Sequence, residues 1–484
     1  MTGDRLVDLD GTGLTPADVE AIGRHGARVR VTDAGWARIR AAHDVVTVFT
    51  GPAYGRTTGV GANKNTAVGE GNGRRLLRSH AGGAGATVPP AEARAMLAVR
   101  VNQLAAGGAG VAPGLVAALV EALDRGLTPP ARRVGAIGTG DLTALATTGL
   151  CLVGERAWRG GTMPAYDLAD ADAAPLISSS AATVGSAALA WCDTDRLLRA
   201  MVPVGVLSMV AVDASLEPFA GAVHASAVHA AAGPPRGQGW VAGRVRALTA
   251  GWAPGSPRVQ DSYAYRAWPQ VQGAAVDAAD RLDAALAVAL NAAPENPLVD
   301  VAGRRMLHNG NFHTAALGAA VDGLCAALGQ AAALSATRLA SLVDPAVTGL
   351  RPFLADAADG SSGVMILEYV ALAALAELRG HVGAAAAAGA GGTLSMGAEE
   401  HASFATQSVH RLAAAAECGA TVVACELVAA ARAVRQAGRR PPDALAAAYR
   451  EIVEALPTDL ADRPLDRDLD AAVALLPALS RLTV

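Results

Sequence analysis

One short segment, Gly138-Thr139-Gly140-Asp141, places a single hydroxyl between two residues that have no side chain. Glycine adopts backbone conformations that other residues avoid, so this segment can form a tight, bare turn. The segment lacks the lysine and the spacing of a phosphate-binding loop. The chemistry that it presents is therefore that of the Thr139 hydroxyl, with the Asp141 carboxylate close behind.

Two other patterns could suggest cofactor or metal chemistry, and both fail on spacing. GRTTGVGANK is similar to a phosphate loop, but Asn65 follows Lys64 where that motif requires serine or threonine. His224 and His229 are five residues apart, whereas two zinc-binding histidines on one helix face are four apart. We predict neither a nucleotide site nor a metal site, and interpret both histidines as ordinary polar residues.

A third feature is a set of short polar clusters that lie far apart in the chain. They are Tyr54 in AYGRTTGVG, Ser79 and His80 in LLRSHAGGAG, Gln260, Tyr263 and Arg266 in VQDSYAYRAWPQVQG, Asn296 in ENPLV, Phe312 in HNGNFHTA, and Glu399, Glu400 and His401 in AEEHASF. Taken singly, each residue has an ordinary explanation, such as a packed ring, a surface ion pair or a helix cap. Only a fold that gathers the clusters would make them one site.

The elements that must position these residues are predicted to be mostly helical. Hydrophobic residues make up 52% of the chain but aromatic residues only 4%, so the apolar mass is mainly alanine, leucine and valine. Alanine and leucine are strong helix formers. Thr15 followed by Pro16 marks a helix start near the N-terminus.

Long alanine-rich segments appear after about Asp193, and their lengths indicate a long-helix bundle. We predict two regions. Residues 1–200 form an N-terminal region that carries the Tyr54 loop, as a mobile lid, and the 138–141 loop; residues 201–484 form the bundle. The expected fold class is all-α, with a long-helix bundle core and a smaller mixed N-terminal region. A small-residue break over 383–397 is predicted to be a loop.

Composition argues against several classes of function. The net charge of −4 gives no electrostatic reason to expect nucleic acid or an anionic membrane as a partner. The five cysteines are scattered without a CxxC pair, which favours a reducing, cytoplasmic location. The polar N-terminus is unlike a signal peptide, and charges interrupt the apolar runs, so we predict no membrane-spanning segment.

Taken together, the segments YGRTTGVG, LLRSHAGGAG, GTGDLTALA, VQDSYAYRAWPQVQG and NGNFH form a specific, ordered pattern. In this order the sequence resembles the aromatic amino acid ammonia-lyases and aminomutases, which include the histidine, phenylalanine and tyrosine ammonia-lyases. The resemblance runs from LDGTGLTPADVEAIGRHGARV to EEHASF, more than four fifths of the chain. It implies a histidine ammonia-lyase-like fold, a small-molecule substrate and a homotetramer whose sites combine residues from several subunits.

The resemblance also implies roles for individual residues. Tyr54 matches the base that takes a β-proton from the substrate, and Arg266 matches the residue that clamps the substrate carboxylate. Because a free tyrosine has a pKa near 10, the neighbours of Tyr54 must stabilise its phenolate for it to act at neutral pH. The catalytic positions so implied are Tyr54, Gly138, Thr139, Gly140, Asp141 and Tyr263. The substrate-binding positions are His80, Ser178, Gln260, Arg266, Asn296, Phe312 and Glu399.

The family makes its electrophile, a methylidene-imidazolone, from an internal Ala-Ser-Gly and so uses no diffusible cofactor. In this sequence the corresponding residues are Gly138, Thr139 and Gly140. Threonine also has a β-hydroxyl, but dehydration would leave an extra methyl on the carbon that an amine attacks. Ser178 stands where the family has an asparagine that hydrogen-bonds the imidazolone. These departures favour an enzyme that works without the ordinary methylidene-imidazolone.

Three hypotheses follow for the function. The first is a Tyr54-dependent enzyme of specialised metabolism that performs elimination, addition or isomerisation. Its substrate is an amino-acid-like carboxylate that has an aromatic or imidazole ring and is already activated for the reaction. The second is a conventional ammonia-lyase or 2,3-aminomutase with a working imidazolone. The third is an inactive homologue with a binding role. The His80 imidazole can hydrogen-bond a polar ring, so it favours a substrate with an imidazole or phenol ring at this position.

Overall fold

The computed structural model describes residues 5–226, 236–356, 360–388 and 393–482. Helices account for 61% of the chain and strands are few, which confirms the predicted all-α, long-helix fold. His229 and part of the predicted 383–397 loop lie outside the described residues. His224 is buried, with Nε2 donating to the Pro218 carbonyl at 3.0 Å and Nδ1 accepting from the Gln238 amide at 3.0 Å.

The strands form three small sheets of two strands each in the described part of the chain. They are β1 (Leu6–Leu9), β2 (Arg28–Val31), β3 (Ala84–Thr87), β4 (Arg132–Val134), β5 (Leu298–Asp300) and β6 (Arg305–Leu307). β1 and β2 pair in parallel, with Leu6 opposite Arg28. The other two pairs, β3 with β4 and β5 with β6, are antiparallel.

The α-helices supply nearly all of the remaining regular structure. They are α1 (Pro16–His25), α2 (Asp33–Thr47), α3 (Asn72–His80), α4 (Pro90–Ala105), α5 (Pro113–Asp124), α6 (Leu142–Leu152), α7 (Asp170–Ile177), α8 (Ala181–Val212), α9 (Gly221–Ser226), α10 (Arg236–Leu248), α11 (Tyr263–Arg266), α12 (Trp268–Asn291), α13 (Ala315–Val343), α14 (Pro345–Thr348), α15 (Ile366–His381), α16 (Ala385–Ala388), α17 (Ala405–Gln436), α18 (Ala446–Ala455) and α19 (Asp466–Leu479). Short 3-10 turns occur at Gly61–Asn63, Glu217–Phe219, Pro352–Leu354, Ser395–Gly397 and Asp443–Leu445.

The start of α1 shows how local sequence determines one of these elements. The Thr15 side chain accepts from the backbone N–H of Asp18, and the Asp18 carboxylate accepts from the backbone N–H of Thr15. This reciprocal capping box satisfies two backbone donors that a helix start leaves free. The helix start that the sequence predicts from Thr15 and Pro16 is confirmed.

The chain divides into two compact units that are not contiguous in sequence. The first unit contains residues 1–192, 282–322 and 384–410, and the second contains 193–281, 323–383 and 411–484. Most of these divisions fall inside long helices, namely α8, α12, α13 and α17. The units therefore differ from the predicted contiguous regions 1–200 and 201–484. The sequence did not predict these divisions because a pattern of residue types does not show where a long helix changes its packing partners.

The second unit contains a buried charge pair. The Arg338 guanidinium in α13 donates to both carboxylate oxygens of Glu426 in α17, at 2.5 and 2.9 Å, and both side chains are almost fully buried. The hydroxyls of Ser208 and Ser335 donate to the same carboxylate. In the described residues, α13 and α17 are the two helices long and apolar enough to cross a membrane. Alanine-rich helices that pack inside a bundle meet the same criterion.

Candidate active site

A cavity of about 420 Å³ in the first unit gathers residues from five of the polar clusters. It is lined by Tyr54, Val60, Gly61, Asn63, His80, Thr139, Gly140, Leu142, Ala174, Ile177, Ser178, Ser179, Asn296, Phe312, Ser395 and Glu399. Its size suits a small organic molecule. Segments that are hundreds of residues apart in the sequence thus meet at one site, which we call the inner cavity.

A second cavity of about 490 Å³, the outer cavity, shares part of its wall with the inner one. The shared residues are Tyr54, Gly61, Asn296, Phe312 and Glu399. The outer cavity adds Lys64, Asn65 and His308 to its lining. Tyr54 therefore lies on the boundary between two adjoining spaces, where a bound molecule could extend into both.

Tyr54 is held by its own glycine-rich loop. The backbone N–H of Gly61 donates to the Tyr54 phenol oxygen at 2.7 Å, and Gly61 has a positive φ of 57°. Burial raises the pKa of Tyr54, the Gly61 N–H opposes this shift, and the charge of Glu399 adds to it. Within the described chain, the phenolate that the resemblance requires is thus stabilised by a single backbone donor.

The loop from Gly138 to Asp141 is held by backbone hydrogen bonds. The Gly138 carbonyl accepts from the Thr314 hydroxyl at 2.5 Å, the Ser403 hydroxyl at 2.8 Å and the Thr314 N–H at 3.2 Å. The Gly140 N–H donates to Ser180 Oγ at 3.1 Å. Gly138 and Gly140 both have positive φ, 75° and 114°, which glycine tolerates. Thr139 is thereby presented to the inner cavity on a fixed turn.

Asp141 lies behind this turn and is fully buried. Its carboxylate accepts from the Thr183 N–H at 2.6 Å and the Thr183 hydroxyl at 2.9 Å. Burial raises the pKa of Asp141 to about 6, although these hydrogen bonds oppose the shift. Because the folded pKa is raised, this carboxyl favours the folded state more at acidic pH, and that contribution falls as the pH rises toward 6.

His80 and Ser178 line the inner cavity on the side of α3 and α7. His80 Nδ1 lies 2.9 Å from both the Leu76 carbonyl oxygen and the Ser79 hydroxyl oxygen, and because the carbonyl can only accept, this geometry favours the tautomer with the proton on Nδ1. In the neutral ring Nε2 is then a hydrogen-bond acceptor. The Ser178 hydroxyl oxygen accepts from the Asn296 N–H at 3.1 Å, which ties two predicted substrate-binding residues together.

Beneath the site lies a buried charge network that the sequence analysis did not single out. Arg100 Nη1 and Glu295 Oε1 are 2.8 Å apart, and neither side chain is more than 1% exposed. Burial lowers the pKa of Arg56 to about 10, opposed by the carboxylates of Asp172 and Glu295. Arg56 Nη1 and Glu295 Oε2 are buried without a hydrogen-bond partner in the described residues. Two members of this network are close in sequence to residues of the site, since Arg56 follows Tyr54 by two positions and Glu295 directly precedes Asn296.

Gln260, Tyr263 and Arg266 belong to the second unit, whereas every residue that lines the two cavities belongs to the first. The Tyr263 side chain is 70% exposed, and the Arg266 guanidinium stacks 4.5 Å from the centre of its ring. Arg266 Nε is buried and has no hydrogen-bond partner within the described chain. The roles of these three residues remain predictions from the resemblance.

The residues present do not fit the ordinary methylidene-imidazolone. A Cβ at position 138, which the family's alanine would supply, overlaps Ser403 Oγ and lies 3.0 Å from the Ala405 nitrogen, and φ is positive there. The nitrogen that would close the ring, that of Gly140, donates a hydrogen bond to Ser180 Oγ. The Ser178 oxygen, in place of the family's asparagine, is engaged by Asn296.

Comparison with known proteins agrees with the geometry. The profile described as aromatic amino acid lyase matches residues 14–456. Histidine ammonia-lyase of Stigmatella aurantiaca is 33% identical over 507 aligned positions, 98% of this chain and 97% of the relative. The structure of histidine ammonia-lyase from Trypanosoma cruzi matches with a TM-score of 0.88 at 27% identity, over 98% of this chain and 93% of that one. Tyrosine aminomutase from Streptomyces globisporus matches with a TM-score of 0.89 at 26% identity, over 98% and 97%. The chain therefore belongs to the aromatic amino acid lyase family and is an enzyme of the ammonia-lyase and aminomutase type.

Proposed function

We propose that this enzyme uses Tyr54 to move a proton on an amino-acid-like carboxylate and that it works without the ordinary methylidene-imidazolone. The observation that carries the proposal is the inner cavity itself, where Tyr54 faces the same space as Thr139, His80 and Glu399. A titratable group on the wall of a substrate-sized pocket is positioned for general base catalysis. The support against the ordinary electrophile is the set of contacts that engage Gly138, Gly140 and Ser178.

The substrate class follows from the inner cavity. His80 Nε2, the free acceptor in the neutral ring, can accept a hydrogen bond from a phenol or an imidazole N–H. The rest of the lining combines Val60, Leu142, Ile177 and Phe312, which suit the faces of an aromatic ring. We therefore propose an imidazole-bearing or phenolic amino-acid-like substrate, with Glu399 in the lining as a negative charge for its cationic nitrogen.

The reaction that we propose is an elimination in specialised metabolism. Addition is the reverse of this reaction, and isomerisation combines an elimination with an addition. Tyr54 accepts the proton from carbon, the C–H electron pair forms the new C=C bond, and the leaving group departs with its bonding electrons. Ammonium is a poor leaving group beside a weakly acidic C–H, so without an added electrophile the nitrogen must be activated in advance. Permanent alkylation of the nitrogen, as in a trimethylammonium betaine, is one such activation.

The assembly that we propose is a homotetramer in the reducing cytoplasm. The support for shared sites is that Arg266 and Tyr263, which the resemblance places at the substrate, lie outside the unit that forms the cavities. The unused Nε donor of Arg266 suits a carboxylate acceptor. None of the five cysteines, all within the described residues, forms a disulfide bond, and four of them are buried, which agrees with a reducing compartment.

One observation favours a second candidate, the conventional imidazolone-dependent ammonia-lyase or aminomutase. Three donors converge on the Gly138 carbonyl oxygen, from Thr314 and Ser403. Donors at a carbonyl oxygen also favour attack on the carbonyl carbon, because they stabilise the negative charge that develops on the oxygen. This second candidate requires that Thr139 be dehydrated.

The two candidates differ in the substrates that they convert. We expect elimination from the N-trimethyl betaines of histidine or tyrosine, measured by the near-ultraviolet absorbance of the unsaturated acid, and no elimination from the parent amino acids. Conversion of the parent amino acids at a comparable rate would favour the second candidate. Failure to convert either set would remove support for the proposed substrate class.

A further prediction concerns the ring-binding residue. Replacing His80 with leucine should lower kcat/KM for the betaine by about 10–100-fold, because a polar ring would lose its hydrogen-bond acceptor inside the pocket. Arg78→Leu serves as the control, since Arg78 lies on the same helix, pairs with Glu155 and is not part of the cavity lining. Equal losses in both variants would show that His80 acts only through the local fold.

A further inference from the structure

Lys64 is the single lysine in the sequence. Lysine and arginine together number 40, which leaves 39 arginines. The chain therefore uses arginine almost everywhere that it needs a positive charge. Lys64 is the one position where the sequence has an ammonium group in place of a guanidinium, so lysine chemistry can be used to follow this position alone.

Lys64 lies directly after the Gly61–Asn63 turn of the Tyr54 loop and lines the outer cavity. The other polar residues around that cavity are Thr58, Asn65, Asn296, His308 and Glu399, beside the aromatic rings of Tyr54 and Phe312. Among the described residues of this lining, Lys64 is the one lysine or arginine.

The Lys64 ammonium makes no hydrogen bond and no ion pair with the described residues, although Glu399 lines the same cavity. Several exposed arginines of the same unit are paired instead, as Arg78 is with Glu155 at 2.7 Å. Lys64 thus presents an unpaired, solvent-exposed positive charge at the wall of the outer cavity. An anion that enters this cavity could pair with it.

We propose that the outer cavity is the subsite for the carboxylate end of the substrate and that Lys64 is the residue of the first unit that binds this carboxylate. The inference rests on the proposed function, because it places the ring in the inner cavity beside His80 and the reacting carbon at Tyr54. The carboxylate then extends past Tyr54 into the space that Lys64 lines. Lys64 thereby selects substrates that carry an anionic group at this end.

Because the chain has one lysine, acetylation of lysine reports on this site alone. We expect L-histidine and L-tyrosine to slow the acetylation of Lys64 by a limiting amount of acetic anhydride, measured by peptide mass spectrometry. Histamine and tyramine, which keep the ring and the amine but lack the carboxylate, should leave the rate unchanged. The N-terminal amine, labelled in the same sample, is the internal control. The parent amino acids are suitable probes because the proposed enzyme binds them without converting them.

Variants test the same contact by a second route. Calorimetry should show that Lys64→Met weakens L-histidine binding by about tenfold, the range of a partly exposed charge-assisted hydrogen bond, and leaves histamine binding unchanged. Lys64→Arg, which keeps the charge, should recover most of the affinity. The arginine variant also shows whether the loop tolerates substitution at this position.

The outcomes separate this inference from the proposal on which it rests. If L-histidine or L-tyrosine binds but protects Lys64 no better than histamine or tyramine does, the carboxylate assignment is wrong and the proposed function stands. If Lys64→Met binds the amino acids as tightly as the unmodified protein, the assignment is wrong as well. If neither the acids nor the amines bind, the proposed substrate class falls, and this inference falls with it.

Discussion

The Tyr54→Phe protein should bind substrate normally and convert it about 10²–10⁴-fold more slowly, the range found for loss of a general base. The variant keeps the ring that contributes to the walls of both cavities and loses only the oxygen that accepts from Gly61. The measurement is kcat with histidine betaine or tyrosine betaine, alongside the substrate affinity from calorimetry. A loss in kcat with little change in affinity is the signature of a proton-transfer group.

Tyr166→Phe is the matched control, since Tyr166 belongs to the same unit but is part of neither cavity lining. This variant should retain full activity. Because burial and Glu399 raise the pKa of Tyr54, less phenolate is present at neutral pH, and the rate of the unmodified enzyme should rise as the pH increases. Full activity of Tyr54→Phe would show that the base is another group.

The second large effect is expected on stability, from the charge pair beneath the site. Arg100→Met leaves the Glu295 carboxylate buried without its partner, and should lower the free energy of unfolding by about 3–5 kcal/mol. Arg100 also donates to the Pro175 carbonyl at 2.6 Å and the Leu176 carbonyl at 3.1 Å, so part of the loss comes from these acceptors. Denaturant unfolding followed by circular dichroism measures the change.

The double variant Arg100→Met/Glu295→Leu separates the two contributions, because it removes the isolated charge and should recover part of the lost stability. The pH dependence gives an independent check. Burial raises the pKa of Glu295 above its ordinary 4.5, and in the single variant Arg100 no longer opposes this shift. At a pH between 4.5, the pKa in the unfolded chain, and the raised pKa in the folded protein, the folded state binds more protons than the unfolded state. The stability of Arg100→Met should therefore fall as the pH rises through this range. A single variant as stable as the double variant at pH 8 would contradict this account of the pair.

Much of the helical fold could be predicted from local sequence. The Thr15 cap, the alanine-rich helices and the loop before α6 depend on neighbouring residues and on helix propensity, so residue type and spacing suffice. The helix α13 covers Ala315–Val343, a segment that already stands out as alanine-rich in the sequence. The meeting of Tyr54, His80, Thr139, Asn296, Phe312 and Glu399 at one cavity was implied by the family resemblance and not by any local pattern.

The parts that escaped prediction depend on contacts between distant segments. Thr314 and Ser403 lie within motifs that the sequence analysis quotes, yet their common target, the Gly138 carbonyl, is far away in the chain. The pairing of Arg100 with Glu295 spans 195 residues and has no periodic signal. The compact units also combine segments that are separate in sequence. The roles of Gln260, Tyr263 and Arg266 stay predictions from the family resemblance.

The most direct test of the central claim is the mass of the peptide that contains Gly138, Thr139, Gly140 and Asp141, taken from the purified native enzyme. We predict the mass of the unmodified sequence, with the threonine hydroxyl intact. A peptide lighter by two water molecules would show that the backbone has cyclised and Thr139 has dehydrated, and would contradict an enzyme that works without the imidazolone.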